Sequence, residues 1–288
     1  MSFGLALAGG GIRGAAHVGV LLALEENGLK PDAVAGTSAG GIIAGLYASG
    51  ISAQELSKIV REMAVKGASF ADPDVRGILS LIPKLLFRKE SACSGLLKGD
   101  LMEKYLRELT GGRVLREISM RTVIPAVDLC TGLTVAFTNS LFGLRPIHGV
   151  KWVTGARLSE VMRATSALPA VFRPKMLDGM CLVDGGVADV LPVDLLIAAG
   201  EPNVLAVDVS EYYKMPERIN LLEVASHSLA IMETKLRQCM TRGEKLLLNP
   251  GLPDTEGVLN LPQMTECMEA GYFSAKKAMP RIKRIFGS

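Results

Sequence analysis

The chain has 288 residues, of which 49% are hydrophobic and 21% charged, with 31 glycines. That length can bury a sizeable core, and that composition excludes a disordered chain. A net charge of +3 is too small to argue for a nucleic-acid partner, although local basic patches could still meet an anionic membrane surface.

Taken in chain order, residues 3–8 read as an apolar strand that runs into Gly9-Gly10-Gly11-Ile12-Arg13-Gly14. A helix over 15–27 follows and stops at Gly28. Ala33-Val34-Ala35 reads as a short buried strand, and residues 41–48 as a helix packed through small side chains. Residues 54–66 form a charged amphipathic helix, and 70–94 are irregular, punctuated by Pro73, Gly77 and Pro83. Residues 96–109 are helical, 121–138 alternate as two strands around Thr131-Gly132, and 158–167 form a helix ended by Pro169. Residues 180–183 and 204–209 are short strands, and 221–242 and 263–285 are helices. Helices alternating with apolar strands predict an α/β fold: a three-layer α/β/α domain with a mostly parallel central sheet. No repeat or linker divides residues 1–288, so one domain is expected.

Gly36-Thr37-Ser38-Ala39-Gly40 is a G-x-S-x-G pentapeptide between a strand and a helix. That context pushes a serine hydroxyl out at the tip of a sharp turn, and Gly36 and Gly40 relieve the crowding. The helix N-terminus behind Ser38 favours developing negative charge. The plainer alternative is a tight turn whose serine caps a helix.

Gly9, Gly11 and Gly14 also fit G-x-G-x-x-G. A dinucleotide site wants an acidic residue at the end of the second strand. Here Asp32 lies before that strand, at the wrong end. The same glycines can instead present backbone N–H groups to an oxyanion. The third motif is Val183-Asp184-Gly185-Gly186, either an Asx-turn or a carboxylate aimed at Ser38. A serine nucleophile needs a base. Of the three histidines, His17 reads as a packing or loop-bracing residue and His148 lies in a Pro- and Gly-flanked loop. His227 sits in a late helix, where a Ser–His–Asp triad would fit the chain order of α/β-hydrolases; a Ser38–Asp184 pair needs no histidine.

The three motifs, in this order, resemble the patatin-like phospholipase family. Ala164-Thr165-Ser166-Ala167-Leu168-Pro169 is similar to that family's helix-ending segment. Ala15-Ala16-His17-Val18-Gly19-Val20-Leu21 is most similar to compact bacterial esterases related to the neuropathy target esterase catalytic domain. The resemblance covers residues 3–210; Ala8 departs from the aspartate that plant patatins often carry there, and no motif is found beyond 210. It implies a lipid acyl hydrolase with Ser38 as nucleophile, Asp184 as base and an acyl-enzyme. Gly9, Gly10, Gly11, Arg13 and Gly14 would form the oxyanion loop, with Arg13 bracing the loop or meeting a lipid phosphate. No metal or other cofactor is implied. An acyltransferase or thioesterase on the same pair, or a nucleotide-binding regulatory protein using the glycine loop, are the rival readings.

Cysteines 93, 130, 181, 239 and 267 are odd in number and form no C-x-x-C pair, so free thiols are expected. The start Met1-Ser2-Phe3-Gly4-Leu5 lacks the basic residues of a signal peptide, and no apolar run is long enough to span a bilayer. The expectation is a cytoplasmic protein acting on a lipid or acyl ester. Residues 75–89 mix Ile78, Leu79, Leu81, Leu85, Leu86 and Phe87 with Arg76, Lys84, Arg88 and Lys89. They read either as a lid or peripheral membrane contact within 70–94, or as an ordinary surface helix pair.

Overall fold

The computed structural model describes residues 2–75, 94–210, 221–239, 243–254 and 260–287. The expected lid segment, apart from Val75, therefore lies outside the described residues. Among the described residues, nine strands form one sheet: β1 (Gly4–Leu7), β2 (Ala33–Gly36), β3 (Arg121–Asp128), β4 (Thr134–Thr138), β5 (Val150–Val153), β6 (Lys175–Leu177), β7 (Met180–Asp184), β8 (Val204–Val207) and β9 (Leu246–Leu248). Its main order is β5-β4-β3-β2-β1-β8-β9, and the run from β3 through β2, β1 and β8 to β9 is parallel. The strands of this run are apolar and buried, as strands covered by helices must be. The expected mostly parallel sheet flanked by helices is what the chain forms.

The antiparallel part positions the site. Residues 126 and 127 of β3 pair with both β4 and β7, so β7 occupies the edge of β3 that β2 also uses. β2 pairs with β3 up to Ala35↔Val123, and β7 arrives from the opposite direction and stops at Ala126↔Asp184. The two strands meet end to end along one edge, which brings the turn after β2 against the last residue of β7.

The described helices are α1 (Ala15–Glu26), α2 (Ala39–Ala48), α3 (Ala53–Lys66), α4 (Asp100–Leu109), α5 (Leu158–Thr165), α6 (Val193–Ala198), α7 (Leu221–Cys239) and α8 (Met264–Phe286). α3 opens on a capping box between Ser52 and Glu55. α4 starts at Asp100, four residues later than the pattern predicts. The Asp72 carboxylate, from a distant segment, accepts the N–H groups of Gly99, Asp100 and Leu101 and so caps it. α5 ends at Thr165, short of the predicted 167, because the following turn is used by the site.

The C-terminal helix, to which no motif assigned a role, completes the core. α8 lies backbone to backbone against α1: a Cβ on Gly19 would sit 1.9 Å from the Met268 carbonyl oxygen, and one on Gly271 2.1 Å from that of Ala16. Phe286 packs on Phe3 with ring centroids 5.1 Å apart. No described helix is long and apolar enough to cross a membrane.

Candidate active site

Ser38 sits at the tip of the turn between β2 and α2 with φ 54° and ψ −124°, a left-handed conformation that an L-residue adopts only where its surroundings enforce it. The enforcement is local. A Cβ on Gly36 would lie 2.2 Å from the Gly40 carbonyl oxygen, and one on Gly40 would lie 2.4 Å from that of Leu7. Only glycine at both positions lets α2 start directly above the strand ends. The first turn of α2 then stands behind the half-buried serine.

Asp184 faces it. Ser38 Oγ donates to Asp184 Oδ2 at 2.7 Å, and Gly186 N–H donates to Oδ1 at 2.8 Å. The Asx-turn and the carboxylate aimed at Ser38 are thus one arrangement: one oxygen shapes the turn, the other meets the hydroxyl. Asp184 is only 2% exposed. Burial raises its carboxyl to about 6, against the hydrogen bonds from Gly186 and Ser38 that stabilise the charged form.

The turn after α5 holds both partners by their backbones. Thr165 Oγ1 accepts the Ser38 N–H at 3.0 Å, and the Ala167 carbonyl accepts the Asp184 N–H at 3.0 Å. Thr165 is fully buried, and a Cβ on Gly41 would lie 2.7 Å from its Cγ2. The motif Ala164-Thr165-Ser166-Ala167 is visible in the sequence, but these two contacts are not.

The glycine loop runs beside the serine; a Cβ on Gly9 would be 3.4 Å from Ser38 Cβ. Its residues divide by role. Gly9 N–H donates to the Val190 carbonyl at 2.9 Å, so Gly9 is not available as an oxyanion donor. Gly14 packs against the elbow, where a Cβ would meet Ala39 Cβ at 2.5 Å, and it reads as a close-packing position rather than a donor. Gly10 and Gly11, partly exposed at the start of a 3-10 turn over Gly11–Gly14, remain as the oxyanion candidates. Arg13, in the same turn, exerts its charge on Glu233 of α7 and on Cys267 of α8.

The histidines fall elsewhere. His17 Nε2 bonds the Ala8 carbonyl at 2.8 Å just ahead of the loop, and full burial lowers it to about 4, so it is a neutral brace. His148 is exposed on the turn before β5, three strands from β2. His227 lies on α7, with its side chain outside the described residues. Asp32 accepts the Phe3 N–H at the other end of the sheet, far from any use on a nucleotide at the glycine loop. Cys130, Cys181 and Cys267 are free thiols, as expected.

The patatin-like phospholipase family profile matches residues 5–197. The chain belongs to the patatin-like phospholipase family. Among relatives, an uncharacterised NTE family protein of Mycobacterium tuberculosis is 28% identical over 74% of this chain and 51% of its own length. Lysophospholipase NTE1 of Mycosarcoma maydis is 32% identical over 73% of this chain and 10% of its own. Human patatin-like phospholipase domain-containing protein 6 is 30% identical over 71% and 13%. The chain thus spans about half the length of the mycobacterial relatives, and far less of the eukaryotic ones. In structure, VipD from Legionella pneumophila shares the fold, with a TM-score of 0.52 at 14% identity over 97% of this chain and 67% of that one.

Proposed function

We propose that this patatin-like protein is a serine lipid acyl hydrolase that cleaves the carboxylic ester of a lysophospholipid, phospholipid or related acyl lipid. The observation that carries the reading is the 2.7 Å hydrogen bond from the strained Ser38 to the buried Asp184. Ionised Asp184 takes the Ser38 proton as Oγ attacks the ester carbonyl. The N–H groups of Gly10 and Gly11 meet the oxyanion that forms. Asp184 passes the proton to the departing alcohol, leaving an acyl-Ser38. It then takes a proton from water, the hydroxide released attacks the acyl group, and the fatty acid leaves as Ser38 recovers its proton. The names of the relatives, lysophospholipase and patatin-like phospholipase, support the choice of substrate class.

Asp184 must be ionised to act, so activity is expected to fall as pH drops through about 6. The test is turnover of a lysophospholipid, a diacyl phospholipid and a short p-nitrophenyl ester, side by side, by wild type and Ser38→Ala. Release of fatty acid from a lipid by wild type alone supports the reading. Equal turnover by Ser38→Ala, or no turnover of any ester, contradicts it.

A further inference from the structure

A second carboxylate reaches the site from α7. A Cβ on Gly186 would lie 3.0 Å from Glu233 Oε1 and 3.2 Å from Asp184 Oδ1, so the two acids flank one small volume. Oδ1 is the oxygen that the Gly186 N–H holds; Oδ2 is the one that meets Ser38. Glu233 thus neighbours Asp184 near Oδ1, the oxygen that does not bond Ser38. α7 is tied down one turn further on, where Arg237 Nη1 donates to both oxygens of buried Asp208 at 2.8 and 3.0 Å. The charges acting on Glu233 are Asp184 from the turn after β7, Arg13 from the glycine loop and Arg237 from its own helix, whose partner is Asp208 at the end of β8. Burial and then the Asp184 charge raise the Glu233 carboxyl to about 7, with the two arginines opposing.

We propose that Glu233 is a positioning residue of this active site, a carboxylate that drives negative charge off Asp184 and toward the substrate. The inference rests on Asp184 being the base. As Asp184 accepts the Ser38 proton, its negative charge disappears from beside Glu233 and reappears on the oxyanion at the glycine loop. Repulsion from an ionised Glu233 favours that displacement, and a neutral Glu233 does not. Glu233 itself neither gives nor takes a proton in the step. The pair titrates in two coupled steps, so activity should climb in two stages, near pH 6 and again near pH 7.

The test is the pH dependence of Ser38 labelling by a fluorophosphonate, followed by intact mass, together with the melting temperature of each variant. Glu233→Gln should label in one stage, at the first of the two wild-type midpoints, with the second stage gone. Its plateau should be slower, by up to about tenfold for each pKa unit of basicity lost by Asp184. Glu233→Asp keeps the charge but withdraws it, and should fall between the two; it also carries the test if the glutamine variant folds poorly. Midpoints and plateaus equal to wild type in folded Glu233→Gln, or a change confined to melting temperature, overturn the proposal. Absence of labelling in wild type would instead overturn the hydrolase reading beneath it.

Discussion

Ser38 is shaped mostly by its neighbours in the chain, Asp184 mostly by segments far from it. The serine's conformation follows mainly from β2, α2 and the glycines on either side, with the Leu7 carbonyl against Gly40 and the Thr165 hydroxyl on the Ser38 N–H the contacts from farther along the chain. Asp184 depends on the register of β7 along β3, on the Ala167 carbonyl and on α7. The proposed nucleophile is therefore largely a property of a local backbone shape, whereas the proposed base is largely a property of assembly. Changes near Ser38 should act as all-or-none steric faults. Changes around Asp184 should act as graded shifts in rate and pH dependence.

The sharpest break should come at Gly40. Gly40→Ala puts a methyl 2.4 Å from the Leu7 carbonyl oxygen and 2.6 Å from that of Ala8, both backbone. The elbow cannot close, so soluble yield and fluorophosphonate labelling should both be lost. Normal labelling of this variant would show that the elbow is less tightly built than its contacts imply. Gly11 is milder. Its φ of 55° makes alanine there cost about 1–2 kcal/mol, a burden the fold should tolerate. If Gly11 is an oxyanion donor, kcat should drop by about 10²–10³. Unchanged turnover would leave the loop a purely structural element.

Thr165 is where the two regions touch. Thr165→Val keeps the shape but leaves the Ser38 N–H buried without its acceptor, at a cost of about 1–3 kcal/mol. We expect kcat to fall roughly tenfold for the 1.4 kcal/mol within that range that reaches the transition state, with KM little changed. Thr165→Ser should restore it. A loss shared by the serine variant would point to packing instead.

The smallest effect is one of stability. Burial raises Asp189 to about 7, above the ordinary aspartate value of 3.8, and its Oδ1 has no partner among the described residues. The folded state binds this proton more tightly than the unfolded one. The stability it contributes is complete below about pH 4 and is lost as pH rises through about 7. Asp189→Asn removes that dependence. Its melting temperature should gain on wild type from pH 5 to pH 8, and a constant difference across that range would refute the assignment.

Legibility in the sequence follows the same division. The elbow, the glycine loop and the Asp184 turn are each short runs whose glycines follow a recognisable spacing, so they can be read from the chain. The serine–aspartate pairing is one of two readings the residues leave open, beside a plain Asx-turn, and the resemblance is what favours it. That β7 enters antiparallel beyond the end of β2 depends on long-range pairing, which no local pattern encodes. The Val190 carbonyl that occupies Gly9 N–H is a backbone group and leaves no side-chain signature. Glu233 lies in a helix whose charges look like a solvated face until the fold turns one of them toward Asp184. The C-terminal helix carries no motif, and its backbone-to-backbone approach to α1 at Gly19 and Gly271 emerges only in the fold.

The central claim is that Asp184 alone serves as base, with no histidine. It is tested most directly by single-turnover acylation of wild type, Asp184→Asn and His227→Ala with a p-nitrophenyl ester at pH 8. The account predicts a loss on the order of 10⁴ for Asp184→Asn and nearly full activity for folded His227→Ala. A folded but inactive His227→Ala beside an active Asp184→Asn would contradict it.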